Sequence, residues 1–435
     1  GDVYKRQVES AVNELAHKMG MDPVKVKEMN MPVEGGPLPG YPDVPYAQSC
    51  SMDRCMARAK EMMDWDSKYP CRDMGNGKVR GVGVAMAMQG SSIAGVDVGG
   101  ADIKLNEDGS YTLALGCTDM GTGCDTVMAQ IAADCLNTPM DNIVVFSVDT
   151  DISPYDSGSY ASATTYTTGV AVMKACEELK KKICKLGAKM MEVDEGKVDF
   201  DGSCVFYDET LEISDGADGN AAGHMTDAEE GYSVDMDAIS SENAQKKVSL
   251  EDIALKSTFF NNIELQVVKQ HSSPISPPPF MVGMAEVEVD TETGSVDVLD
   301  YVAVVDCGTP INPNLARVQT EGGIAQGIGM ALWEDVQYTD KGKIRNNSFM
   351  QYKIPTRQDI GNIRVDFECS YEKSGPFGAK SIGELVIDTP CPALAEAIYN
   401  ATGVRLTELP MTPEKIAMEI LKNRESIRSG TKVEE

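Results

Sequence analysis

The chain has 435 residues, of which 42% are hydrophobic and 25% charged, and a formal net charge of −29. That length predicts two or three domains. The charge argues against nucleic acid and anionic membranes as partners, since both require basic patches, and no apolar run approaches the ~20 residues that span a bilayer.

The first seven residues, GDVYKRQ, fit no pattern that follows. An amphipathic helix with Val8, Val12, Leu15 and Met19 on one face then runs to Gly20, and Asp22-Pro23 starts a second helix by N-cap and N1 chemistry. The chain thus reads as opening inside a domain, with an artefactual head. A Pro/Gly linker at 31–48 and a helix bearing Met52, Cys55, Met56, Ala59 and Met62 precede the body, which starts near Lys78. There, a strand (GKVRGVGVAMAMQGSS) leads to a hairpin turned at Asp108-Gly109, a glycine loop (TDMGTG) and a helix (DTVMAQIAADCL). The same order returns later: a hairpin turned near Thr293-Gly294, a loop (DCGTPINPN) and a helix through GGIAQGIGMAL. Both loops carry Asp-x-Gly-Thr, at Asp119–Thr122 and Asp306–Thr309, and both feed a helix with a glutamine, Gln130 and Gln326. This predicts an α+β fold of two related sheet-and-helix units. The Asp/Glu-rich stretch at 201–250 reads as a solvated insertion. Thr412, Pro413 and Glu414 cap a last helix, and the tail after it is expected to be mobile.

Twelve cysteines occur without a CxxC or a repeated pair at metal spacing, which favours free thiols in a reducing cytoplasm. Only three histidines exist, His17, His224 and His271, and none has a partner at ligand spacing. The chemistry must therefore rest on carboxylates, backbone amides or a bound cofactor. Three loops are candidates: GCTDMGTGCDT (116–126), YDSGSYASATTYTTG (155–169) and GPFGAKSIGE (375–384). The first ends at a helix N-terminus, where amides and the helix dipole favour an anion. The second offers hydroxyls and small side chains. The third brings a lysine and a carboxylate, Glu384, on a glycine-rich backbone built for close approach. There is no Walker A lysine pattern and no GxGxxG opening a βαβ unit, so ordinary nucleotide binding fails on motifs.

These loops resemble those of the molybdenum-binding subunit of the xanthine dehydrogenase/aldehyde oxidase family. The likeness runs from about Val8 to Ile420 and corresponds to the C-terminal half of that subunit. GCTDMGTGCDTVMAQIAADCL is similar to the family's Met-Gly-Gln-Gly pterin loop, and DTDISPYDSGSYASATTYTTGVAV to its second cofactor loop. DCGTPINPNLARVQTEGGIAQGIGMAL and GPFGAKSIGELVIDTPCPALAEAIYNATG resemble the last two signatures. The resemblance implies a molybdenum–pterin cofactor in its cytosine dinucleotide form, with the metal held by the pterin dithiolene rather than by protein ligands. It implies Glu384 as the catalytic base facing the metal, activating a water-derived oxygen. It places Met120, Gly121 and Thr122 at the pterin, Ser159, Tyr160, Ala161 and Ser162 at the pterin or its phosphates, Gln326 at the metal's ligands, and Lys380, Ser381, Ile382 and Gly383 along the cofactor. Thr122 stands where the family has glutamine, and Ala163 where it often has arginine.

On this basis residues 1–77 are expected to be the end of a preceding molybdopterin-binding half plus linker, 78–262 the first unit with its acidic insertion, and 263–435 the second unit carrying the catalytic glutamate. The implied reaction is oxidative hydroxylation of a purine, another N-heterocycle or an aldehyde, with electrons passing to iron–sulfur and FAD partner chains in a cytoplasmic oligomer of heteromers. Dehydroxylation of an aromatic thioester or oxidation of carbon monoxide on the same scaffold is the alternative, and a catalytically silent assembly or cofactor-storage subunit is the rival of another class. The 435-residue chain alone is expected to be inactive.

Overall fold

The structure, a computed structural model, describes residues 2–38, 43–211, 246–259 and 263–429. Helices α1 (Asp2–Lys18), α2 (Pro23–Asn30), α3 (Met52–Met63) and α4 (Trp65–Lys68) precede strands β1 (Cys71–Gly75) and β2 (Lys78–Met88). A first run follows: β3 (Gly99–Leu105), β4 (Tyr111–Leu115), α5 (Cys124–Leu136), β5 (Ile143–Ser147) and α6 (Gly169–Met191). Strands β6 (Val198–Phe200), β7 (Cys204–Tyr207) and β8 (Lys247–Ser249) form a small antiparallel sheet, and α7 (Leu250–Phe259) and β9 (Gln266–His271) come next. The second run is β10 (Phe280–Asp290), β11 (Val296–Asp306), α8 (Pro313–Leu332), β12 (Asn362–Phe367) and α9 (Pro390–Thr402), with α10 (Pro413–Ser429) after it.

The two runs share one topology. In the first, β3 and β4 pair antiparallel and α5 crosses over to β5, parallel to β4. In the second, β10 and β11 pair antiparallel and α8 crosses over to β12, parallel to β11. Each sheet is extended by a strand that lies, in sequence, just ahead of the other run: β2 runs antiparallel to β10, and β9 antiparallel to β3. The resulting orders are β1-β2-β10-β11-β12 and β5-β4-β3-β9. This exchange corrects the boundaries expected at 77/78 and 262/263. One compact unit comprises 1–93, 275–372 and 378–435, and the other 94–274 and 373–377, because β2 bonds along the whole of β10 instead of joining β3.

In the first unit both faces of the sheet are covered, so β10 and β11 read as near-continuous apolar runs. Met52, Cys55, Met56 and Trp65 of α3 and α4 pack on Val82, Val84, Val282, Met284 and Val302. Ile324 and Ile328 of α8 and Leu394 and Ile398 of α9 pack with Val287, Val298 and Ala303. Helix α1 begins at Asp2, earlier than the sequence pattern predicts, and it docks by its polar face. Buried Glu9 accepts from Lys27 Nζ (2.7 Å) and Met86 N (2.6 Å), and buried Asn13 donates to Val84 O (3.1 Å). The apolar stripe of Val8, Leu15 and Met19 is exposed.

In the second unit β4 alternates buried and half-buried residues, and α6 buries Val172, Leu179 and Ile183. Most of the acidic stretch, including His224, and the tail after Ser429 lie outside the described residues. Among the described residues no helix is long and apolar enough to cross a membrane.

Candidate functional site

The loop carrying Glu384 is fixed at its root by the end of β11. Asp306, fully buried, accepts on Oδ1 from Gly308 N (3.0 Å), Ser370 Oγ (2.8 Å) and Lys380 Nζ (3.0 Å), and on Oδ2 from Ser51 N (2.9 Å). Lys380 Nζ also donates to Ser49 O (3.2 Å) and lies 4.9 Å from the centre of the Phe280 ring, while its backbone N–H donates to Cys307 O (2.8 Å). Such a buried, fully partnered ion pair specifies one loop geometry, since either partner alone would be a buried uncompensated charge. Lys380, expected along the cofactor, thus has both its ammonium and its amide engaged within the protein.

Glycines permit the close approach. Gly308 (φ +70) and Gly378 (φ +84) are left-handed, and Cβ atoms there would strike the Gly378 carbonyl and the Tyr371 ring respectively. Burial, and then the Asp306 charge, push the Cys307 thiol up to about 12, so it stays protonated beside the pair.

Beyond Lys380 the loop is clamped from the segment after β2. Ser381 N donates to Ser91 Oγ (3.1 Å), which itself donates to Pro277 O (2.6 Å). Ile382 packs against the core, and Gly383 O accepts from Gln319 Nε2 of α8 (3.1 Å). Glu384 is exposed, and its Oε2 accepts from Gln89 Nε2 (2.8 Å). These residues border a cavity of about 480 Å³ whose polar lining includes Gln89, Gln319, Gln326, Glu384 and buried Asp388. On α8, Gln319, Gly322, Gly323 and Gln326 share a face because they recur at helical spacing. A Cβ at Gly323 would strike Val386, whereas one at Gly322 would meet nothing within 4 Å, so α8 approaches the loop closely while leaving space above it.

The structure thus brings Gln326, Gly383 and Glu384 to one cavity, with Lys380 and Ser381 as supports behind them. The sequence reading misses Gln89, Gln319 and the role of Asp306. Gln319 has a signal, lying seven residues before Gln326 on the same helical face; Gln89 has none, being 295 residues from its partner.

The other expected site residues belong to the second unit. Met120 and Thr122 are exposed, and Gly121 (φ +99) has open space where a Cβ would point. Asp119 Oδ1 accepts from Gly121 N (2.9 Å) and Gly123 N (3.1 Å). Ligand atoms of Asp119, Cys124 and Asp125 lie within 4.8 Å of one another. Two loop amides are therefore already taken and the α5 N-terminus carries its own carboxylates, which corrects the expectation that this turn favours an anion. In the other loop, Ser159 Oγ lies 2.7 Å from Thr164 Oγ1, Tyr160 is exposed, and Ala161 (φ 45) and Ser162 (φ 59) are left-handed. Two adjacent non-glycine residues in that region mark a locally strained backbone.

A family profile described as a molybdopterin cofactor-binding domain matches residues 58–361. The probable hypoxanthine oxidase XdhD of Escherichia coli (strain K12) is 33% identical over 93% of this chain and 40% of that protein. The putative xanthine dehydrogenase molybdenum-binding subunit XdhA of Escherichia coli (strain K12) is 29% identical over 94% of this chain and 51% of that protein. The crystal structure of quinoline 2-oxidoreductase from Pseudomonas putida 86 has the same fold, with a TM-score of 0.80, 21% identity and coverage of 97% of this chain and 52% of that one. The chain spans 40% to 51% of the length of these curated relatives. It belongs to the molybdopterin cofactor-binding domain family.

Proposed function

We propose that the complete protein of which this sequence forms part is a molybdenum hydroxylase, with Glu384 as its catalytic base. The observation that carries this reading is the presentation of Glu384: an exposed carboxylate on a loop pinned by a buried ion pair, beside a cavity of about 480 Å³. The residues fit a large polar group. Side-chain amides of Gln89, Gln319 and Gln326 border the cavity, and Gly322 leaves one wall without a side chain.

When bound, the molybdenum–pterin group supplies two-electron redox chemistry. Gln326 and the backbone at Gly383 are proposed to hold it, with Ser381 and Ile382 shaping the loop. Met120, Gly121 and Thr122 are proposed as pterin contacts, and Ser159, Tyr160, Ala161 and Ser162 as pterin or phosphate contacts. Glu384 takes a proton from the water-derived oxygen that attacks the substrate carbon, a role that requires its carboxylate within hydrogen-bond reach of that oxygen. The substrate class is a purine, another N-heterocycle or an aldehyde, as the names of the relatives suggest. The cofactor form is the cytosine dinucleotide, and the electrons leave through iron–sulfur and FAD partner chains in the cytoplasm.

The test is to purify the complete protein with its partner chains, measure molybdenum, and screen purines, N-heterocycles and aldehydes with a dye acceptor. Stoichiometric molybdenum with turnover of one of these classes is expected. A molybdenum-loaded protein that oxidises none of them contradicts the reading.

A further inference from the structure

We propose that Gln89 is the positioning residue for Glu384, resting on the assignment of Glu384 as the base. The residue stands immediately after β2, and its side-chain N–H donates to Glu384 Oε2 at 2.8 Å. A primary amide is suited to orienting a base. It has two donors for a carboxylate and no proton to exchange at neutral pH, so it does not compete for the transferred proton. A hydrogen bond onto a charged acceptor is among the stronger kinds, and it becomes stronger when solvent is excluded.

The segment around Gln89 is itself rigid, which is what an orienting group requires. Its backbone N–H donates to Pro279 O (3.4 Å). Ser91, two residues on and fully buried, donates to Pro277 O (2.6 Å) and accepts from Ser381 N (3.1 Å). The short run Gln89–Ser91 thus grips the catalytic loop twice, by its backbone at Ser381 and by its terminal carboxylate at Glu384. The first grip sets where the loop lies; the second sets where the carboxylate points. Since proton transfer depends steeply on the placement of the base, the second grip belongs to catalysis rather than to folding alone.

Gln89 is half-exposed, so the near-isosteric Gln89→Met tests the amide without opening a buried void. In the complete holoenzyme, Gln89→Met is expected to lower kcat about tenfold, a loss typical of a misplaced base, with KM and molybdenum content unchanged. Gln89→His, which restores a ring N–H donor, is expected to recover most of the rate. Crystals of the Gln89→Met holoenzyme are expected to show the Glu384 carboxylate displaced or divided between rotamers, with the backbone at 380–383 unmoved. In a Glu384→Gln background, Gln89→Met is expected to cause no further loss. The proposal is overturned if Gln89→Met turns over within about twofold of the parent while Glu384→Gln is inactive, or if its rate falls with Glu384 unmoved. Loss of molybdenum in Gln89→Met that Gln89→His does not restore also overturns it, by making the residue a cofactor-retention group. If Glu384→Gln itself keeps the parent rate, the assignment of the base fails and this proposal fails with it.

Discussion

Asp119–Thr122 and Asp306–Thr309 spell the same Asp-x-Gly-Thr turn in the same topological place, yet the two turns do different work. In both, the aspartate accepts from the glycine amide two residues on, at 2.9 Å in one and 3.0 Å in the other. There the likeness ends. Asp306 is fully buried and joins β11, Ser51, Ser370 and Lys380 in one network, whereas Asp119 is half-exposed and folds only onto its own loop through Gly121 and Gly123. A duplicated turn has become a rigid mount for a reactive carboxylate in one unit and an open, locally satisfied loop in the other. Local chemistry sets the shape of a turn; burial and a charged partner set what it can hold.

The largest effect that could break this comparison is loss of the ion pair. Lys380→Met leaves Asp306 buried and unpaired, and is expected to cost about 3–5 kcal/mol. Asp119→Asn keeps an acceptor for both glycine amides on a half-exposed loop and is expected to change stability by under about 0.5 kcal/mol. Chemical denaturation reports both, and hydrogen exchange at 303–310 and 378–384 should collapse only in Lys380→Met. Equal costs for the two variants would mean that the turns are energetically equivalent.

Glycine substitution gives a smaller contrast. Gly378→Ala meets both an adverse φ and the Tyr371 ring, and is expected to cost about 1–3 kcal/mol. Gly121→Ala meets the adverse φ alone and is expected to cost about 1 kcal/mol. Thermal unfolding of the two variants should therefore rank Gly378→Ala lower; the reverse order would show that the open loop is the more constrained one.

A further expected effect is pH-dependent and confined to the second unit. Burial, and then the Lys174 ammonium, hold His271 at about 4, below the ordinary histidine value. The unfolded chain therefore binds a proton that the folded one refuses as pH falls below about 6.5, so stability is full above that value and declines towards about 4. His271→Gln should flatten this part of the acid limb, as followed by unfolding midpoints between pH 7 and pH 4. An unchanged slope would mean that His271 makes no contribution to acid sensitivity.

Local signals carry the regular elements. Alternation and the Asp108-Gly109 and Thr293-Gly294 turns predict the β3–β4 and β10–β11 hairpins, and Asp22-Pro23 marks α2, whose cap bond from Val24 N to Asp22 Oδ1 is 2.8 Å. The repeat is legible because each unit reuses the same order of elements. The strand exchange is not, since nothing in the residues of β2 distinguishes β10 from β3 as a neighbour until the sheet is closed. The stripe of Val8, Leu15 and Met19 does not show which face of α1 docks, because Glu9 and Asn13 find partners on α2 and β2 that no periodicity shows. At the site, the glycine-rich loop and Glu384 stand out as sequence, while Asp306 looks like an ordinary turn aspartate and becomes a buried anchor only through Lys380.

The most direct measurement is the behaviour of Glu384→Gln in the complete, partner-bound enzyme, with molybdenum quantified in the same preparation. Parental molybdenum content is expected, with kcat reduced by at least about a thousandfold, because the substitution keeps the loop and its hydrogen-bonding shape while removing the base. A variant that keeps molybdenum and turns over near the parental rate would contradict the assignment of Glu384 as the base.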